Sequence, residues 1–383
     1  MIRKFIFSGL LVVASVICVA QKSRVFSVFQ LIETEKYEDA KEAIELAIWH
    51  ENTSRWPRTY YAKGLLCQKA FESGFEKNDR EKMELYPDQL LLAYEAYEKA
   101  LQLDKRNRLN SIISTQYYQL ANDFQKLGER LYRKKEYEEA LEAFEHALLV
   151  SKSDLLTAET DTSLVYNTAL AAYESGNWEK AISYLRGLNG DGYSPNTALL
   201  LHHACLETGD SLMAEEVLAD GVDRYDSDET IVLELVDFLV NKNRMEDAIQ
   251  LLDSMMIRKP DNAVFPWTCG LVYQQTGAYE EAIELLMKAS KLAPAEPRIY
   301  YHLGISHYNI GVDINEAARH IRNNARYQKE RDRARERFQE AIRWLEKAYE
   351  LDPGHKSTIA KLYQLYYHLQ MTEKRKEMEL LLE

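Results

Sequence analysis

The chain has 383 residues, 46% hydrophobic and 28% charged, with a formal net charge of −13. No Pro/Gly/Ser-rich tract is long enough for a flexible linker, and besides Cys18 there are Cys67, Cys205 and Cys269, an odd number without a CxxC pair, so no disulfide framework is indicated. The acid excess repels phosphate backbones, so no nucleic-acid partner is expected.

Residues Met1 to Lys4 form a cationic start, followed by the apolar run Phe5 to Ile17 and the small-ended Cys18-Val19-Ala20. This reads as a secretory signal peptide (1–20) cut after Ala20, which places the protein outside the cytoplasm. The run Phe5 to Ala20 is shorter than the roughly 20 residues that span hydrocarbon, and Ser8 and Gly9 interrupt it, which argues against a retained anchor. Acylation at Cys18 is a lesser alternative, because Ile17 stands where a lipoprotein signal wants a small residue. Cleavage removes Arg3 and Lys4 and no acid, so the mature charge becomes −15.

Paired helices follow in chain order. Val25 to Ile32 precedes a second helix carrying Tyr37, Ala40, Ile44 and Ala47. Gly64 and Ala93 bracket a pair with extra residues around 71–88; Ala93, Tyr97 and Ala100 mark its second helix. Tyr137, Ala140, Phe144 and Ala147, then Trp178, Ala181 and Leu185, mark two more, with Gly128 and Gly176 before them. The step from Ala140 to Ala181 is long, so Ser151 to Thr162 is expected to be a loop joining an N-terminal half (21–158) to a C-terminal half (159–383). Beyond it Ala214, Ala248 and Ala282 recur every 34 residues, as do Gly209, Asn243, Gly277 and Gly311. A basic insertion near 312–336 separates Gly304 from Ala341, and Ile359 to Leu369 with Lys374 to Leu382 form a terminal capping pair.

The clearest unit, Ala263 to Pro294, holds Gly270, a turn at Gly277, then Tyr279, Ala282, Leu286 and Ala289 before Pro294. With Ala282 at the twentieth position, Gly270, Ala289 and Pro294 fall at the eighth, twenty-seventh and thirty-second. In this it resembles the tetratricopeptide repeat family, and the repeats extend over nearly all of residues 24 to 383. The resemblance, with the brevity of the signal, implies an exported bacterial protein. Its expected fold is all-α: a right-handed superhelical solenoid of antiparallel helix pairs, about eight or nine in number.

No HExxH, Walker-type loop or GxSxG occurs, so no metal, cofactor or catalytic residue is expected. His202, His203 and Cys205 are the nearest approach to a nucleophile cluster, but His202 and Cys205 occupy packed positions, and a small hydrolase using Cys205 ranks last. In the family's superhelix, first helices line the concave face through positions two, five, nine and twelve. Here those positions include Tyr166, Tyr173, Leu199, His203, Leu233, Asp237, Trp267, Leu271, Tyr301, Ile305 and Tyr308. Such an aromatic groove suits a peptide segment or partner helix. The competing reading is that these aromatics pack between neighbouring first helices. No repeat carries the lysine and asparagine pair by which relatives clamp a terminal carboxylate. Arg319, Arg322, Arg326 and Arg333 belong to the basic insertion, either a solvated helix laced by ion pairs or a patch for an acidic partner or anionic envelope surface. The expected function is a non-enzymatic interaction scaffold of the periplasm or envelope, with glycan binding in the same groove as the alternative.

Overall fold

A computed structural model describes residues 22–157, 161–225 and 228–382, and every regular element among them is a helix. The expected signal segment, Cys18 included, lies outside the described residues. Two compact units divide between Arg224 and Tyr225. The first holds α1 (22–33) with α2 (Tyr37–Trp49), α3 (Pro57–Lys77) with the short α4 (Arg80–Met83) and α5 (Gln89–Leu103), and α6 (Asn110–Arg133) with α7 (Tyr137–Ser151). It is completed by α8 (Thr162–Glu174) with α9 (Trp178–Gly190) and α10 (Pro195–Glu207) with α11 (Ser211–Arg224). The second pairs α12 (Glu229–Asn241) with α13 (Met245–Arg258), α14 (Val264–Thr276) with α15 (Tyr279–Leu292), α16 (Pro297–Ala318) with α17 (Asn324–Leu351), and α18 (Lys356–His368) with α19 (Thr372–Leu382). Within each unit every hairpin packs on the next in sequence, the arrangement of a helical solenoid.

One turn joins most pairs. At Gly209, Asn243 and Gly277, 34 residues apart, φ is +81°, +60° and +80°. In the Gly277 turn, Gly277 N–H donates to Gln274 O and Ala278 N–H to Tyr273 O, satisfying the carbonyls that a helix end leaves open. The same two bonds recur at Glu35, Lys135, Gly176, Gly209, Asn243 and Gln370. Gly311 breaks the series. It lies inside α16, where a Cβ would come within 2.7 Å of Phe338 Cε1. The insertion lengthens both helices of its hairpin instead of looping out, so this glycine serves close helix approach.

Close approach also explains Gly128, where a Cβ would meet Phe144 Cδ1 at 2.7 Å, and Gly304, where it would meet Leu345 Cγ at 2.5 Å. Each first helix offers a notch and the second helix of its own pair fills it. The 71–88 insertion continues α3, adds α4 and folds back on α2: Lys41 Nζ donates to Leu85 O (2.6 Å) and Tyr86 OH to Glu45 Oε1 (2.9 Å).

The loop expected to join two halves lies within the first unit. Ser114 Oγ donates to Leu155 O (3.0 Å), Thr157 N–H reaches Tyr118 OH (3.5 Å), and α7 packs on α8. The extra residues are held against α6, and the compact units divide further on, after Arg224.

Candidate binding surfaces

In the first unit the side chains of Tyr166 and Tyr173 stand two turns apart on α8 and are half-buried. Tyr166 packs on Tyr193 with ring centres 5.2 Å apart, and its hydroxyl accepts from Asn196 Nδ2 (2.8 Å). Tyr173 sets its ring edge-on to Trp178 at 5.3 Å. His203 is half-buried on α10. Between α6 and α8 lies a small cavity of about 170 Å³ lined by Glu129, Tyr132, Phe144 and Leu170.

In the second unit Trp267, Leu271, Tyr301 and Tyr308 are half-buried and Asp237 is exposed. The rings are not bare. Arg298 sits over Trp267 at 4.7 Å, His355 meets Tyr301 edge-on at 5.2 Å, and Lys361 Nζ lies 4.0 Å from the centre of Tyr308. Each partner comes from the following first helix or from the residue capping it, so these aromatics both pack the stack and leave an edge to solvent. The indole Nε1 of Trp267 is buried without a hydrogen-bond partner. Burial drives His302 down to about 4, with Arg298 and His355 adding to the shift. It is therefore neutral near pH 7, where its Nδ1 bonds Gln274 Oε1 (3.0 Å) while Gln274 Nε2 donates to Ser306 Oγ (2.6 Å). That clasp between α14 and α16 was not foreseen from sequence.

Arg319, Arg322, Arg326 and Arg333 are all exposed on the long α16–α17 hairpin. Its pairs run from Arg333 to Glu330 (2.7 Å) and from Arg337 to Glu280 (2.6 Å), the second tying α17 to α15. Arg326, Lys329 and Arg333 share one face of α17 by their spacing.

Sequence reading also missed a buried polar chain across α3, α5 and α6. Tyr97 OH donates to Gln68 Oε1 (2.8 Å), and Gln68 Nε2 donates to Asp123 Oδ2 (3.1 Å). Gln119 Nε2 reaches the other oxygen of Asp123 at 3.0 Å. Burial pushes the Asp123 carboxyl up to about 7, with the negative charge of Glu72 adding to the rise.

The cysteines lack the setting of nucleophiles. Cys67, Cys205 and Cys269 are 0% exposed, and burial raises all three thiols, Cys67 and Cys269 to about 12. His202, three residues from Cys205, directs Nδ1 to Ala214 O at 2.9 Å. Iodoacetamide is expected to leave these thiols unmodified in the native protein and to label all three in denaturant. Site-resolved mass spectrometry checks this, and labelling of Cys205 in the folded chain would restore the nucleophile reading.

Comparison with known proteins finds two stretches that match family models. Residues 126–195 match the tetratricopeptide repeat and residues 259–311 the TPR repeat. No curated protein matches the sequence. Among solved structures, the chain is similar to the C-terminal part of a TPR repeat-containing protein from Cytophaga hutchinsonii, at 16% identity over 67% of this chain and 93% of that one, with a TM-score of 0.47. A TPR repeats protein from Bacteroides fragilis is 19% identical over 65% and 98%, with a TM-score of 0.35. MamA from Desulfovibrio magneticus RS-1 is 21% identical over 49% and 97%, with a TM-score of 0.33.

Proposed function

The chain is a tetratricopeptide-repeat protein, and from that premise we propose that it is a non-enzymatic scaffold of the bacterial envelope, holding a peptide segment or partner helix on the aromatic residues of its first helices. Repeats of this kind point to protein partners. The observation that carries the finer reading is the set of half-buried rings of Trp267, Tyr301 and Tyr308, each fixed by a neighbour and partly open. A ring already immobilised loses little rotamer freedom on binding, which is what makes aromatics effective anchors. The same contacts weigh against the glycan alternative, because Arg298 and Lys361 each take a ring face that a sugar would stack on.

The compartment is read from the sequence of residues 1–20. Among the described residues no helix is long and apolar enough to cross a membrane. The exposed arginines of the α16–α17 hairpin would give peripheral contact with an anionic envelope surface.

Crosslinking in the native envelope tests the scaffold reading. Trp267→Ala with Tyr301→Ala removes two anchors and is expected to lower the yield of a specific crosslinked protein by at least about tenfold. A thermal melt confirms that the variant stays folded. An unchanged crosslink pattern in the folded variant would overturn the assignment of the groove.

A further inference from the structure

A large cavity lies away from the concave positions. About 1140 Å³ in volume, it lies in the first unit, where the 71–88 insertion faces α6 and α7. The concave positions of α6, Asn122, Gln125, Glu129 and Tyr132, do not line it. Its floor is apolar: Phe71, Leu90 and Phe124 are 3–4% exposed, with the half-buried Leu127 and Leu131 beside them.

The insertion wall is held in place before anything binds. Gln89, 4% exposed, donates through Nε2 to Cys67 O (2.8 Å) and Lys82 O (3.0 Å) while its Oε1 accepts Tyr86 N–H (3.1 Å). With the bonds that Tyr86 and Leu85 make to Glu45 and Lys41 of α2, this fixes the segment from Lys82 to Gln89 on α2 and α3. A preformed wall removes an ordering cost from association.

Five carboxylates, on Glu84, Asp88, Glu136, Glu139 and Glu142, line the groove against three cations. Arg80 on the insertion pairs with Glu84 at 2.8 Å, Arg130 on α6 donates to Asn78 Oδ1 (2.9 Å) and lies over Phe75, and Lys134 is exposed at the end of α6. On the α7 side Glu136, Glu139 and Glu142 line the cavity at successive turns, all exposed and, among the described residues, none in an ion pair. The volume exceeds the roughly 300–1,000 Å³ of small-molecule pockets, which favours a polymer segment.

We propose that this groove is a second docking site, for a basic amphipathic helix whose aliphatic face covers Phe71, Leu90 and Phe124 and whose Lys or Arg side chains pair with Glu136, Glu139 and Glu142. The mode is helix-in-groove recognition, with opposite charge setting the register. It stands independently of the aromatic face, since the two share no residue.

The test uses the full chain and a fluorescein-labelled amphipathic helical peptide built only of Leu and Lys, with its Leu/Glu counterpart as the charge control. Anisotropy should show binding of the Leu/Lys peptide alone, weakened by raising salt from about 50 to about 300 mM. Glu139→Lys with Glu142→Lys should weaken it by about tenfold, whereas Glu373→Lys with Glu379→Lys on α19 should leave it within about twofold. Hydrogen exchange should place protection at 83–91 and 124–146. No binding, an equal loss in both charge-reversed variants, or protection centred on Tyr166 and Trp267 would overturn the proposal. Exchange mapping uses the unmodified chain, so its result does not depend on how the variants fold.

Discussion

Phe144→Ala is expected to destabilise the first unit by about 3–5 kcal/mol, the usual cost of removing a buried aromatic ring. Phe144 is 2% exposed on α7, and its ring fills the notch left by Gly128 on α6. The ring therefore fills the space between two closely packed helices, and its removal leaves a void there. The notch makes a reciprocal experiment available. Gly128→Ala drives a Cβ to within 2.7 Å of the ring and should also destabilise, by about 1–3 kcal/mol. Combined with Phe144→Leu, it should cost less than the sum of the two single changes, because the smaller side chain admits the new methyl. Urea unfolding measures the free energies, and hydrogen exchange across 110–151 assigns them to this hairpin. Strict additivity in the double variant would show that the two positions do not share a contact.

Asp123→Asn is expected to raise stability at pH 8 by about 2 kcal/mol and to flatten the pH profile between about 5 and 8. The sign follows from the direction of the shift. A carboxyl near 4 in the unfolded chain and about 7 in the folded one makes the native state bind the extra proton across that window. Stability therefore falls as pH rises from about 4 to 7 and levels off above, where burial of the charged form costs most. Gln68 and Gln119 donate to the two carboxylate oxygens, and Asn keeps only one accepting oxygen, which is why the gain is set well below the full value of the shift. Asn preserves the shape, and a rotated Gln119 amide can receive its new N–H. His302 and His307, depressed by burial from 6.5 to about 4, contribute the opposite slope between those values, so the Asp123 contribution is read from the difference between the variant and parent profiles. A difference between variant and parent that stays constant from about pH 5 to 8 would remove Asp123 as the cause.

Periodicity exposed the hairpins because Ala40, Ala140, Ala181, Ala214, Ala248, Ala282 and Ala341 each sit, 0% exposed, where two helices touch. A small residue under that constraint leaves a trace in one dimension. Residues 312–336 left no such trace: their exposed charged positions hide that they are two helices continuing past the turn. The buried chain was equally illegible, since Gln68 and Asp123 lie 55 residues apart and either alone looks like a polar residue on a helix. The insertion groove is assembled from five elements between Phe71 and His146, and only the count of extra residues near 71–88 hinted at it. The aromatic positions were readable as residues but not as contacts, because Arg298 and Lys361, which cap Trp267 and Tyr308, belong to the next hairpin.

The corners that follow Glu35, Lys135, Asn243 and Gln370 carry no side-chain requirement beyond tolerance of a positive φ, because main-chain atoms alone close them. Mutation can rewrite the letters at such a corner while the bend angle survives, at about 1–2 kcal/mol for each non-glycine. Architecture thus outlives its spelling: the corners at Glu35, Asn243 and Gln370, outside the matched stretches 126–195 and 259–311, close with the same two bonds as the Gly277 corner inside one of them.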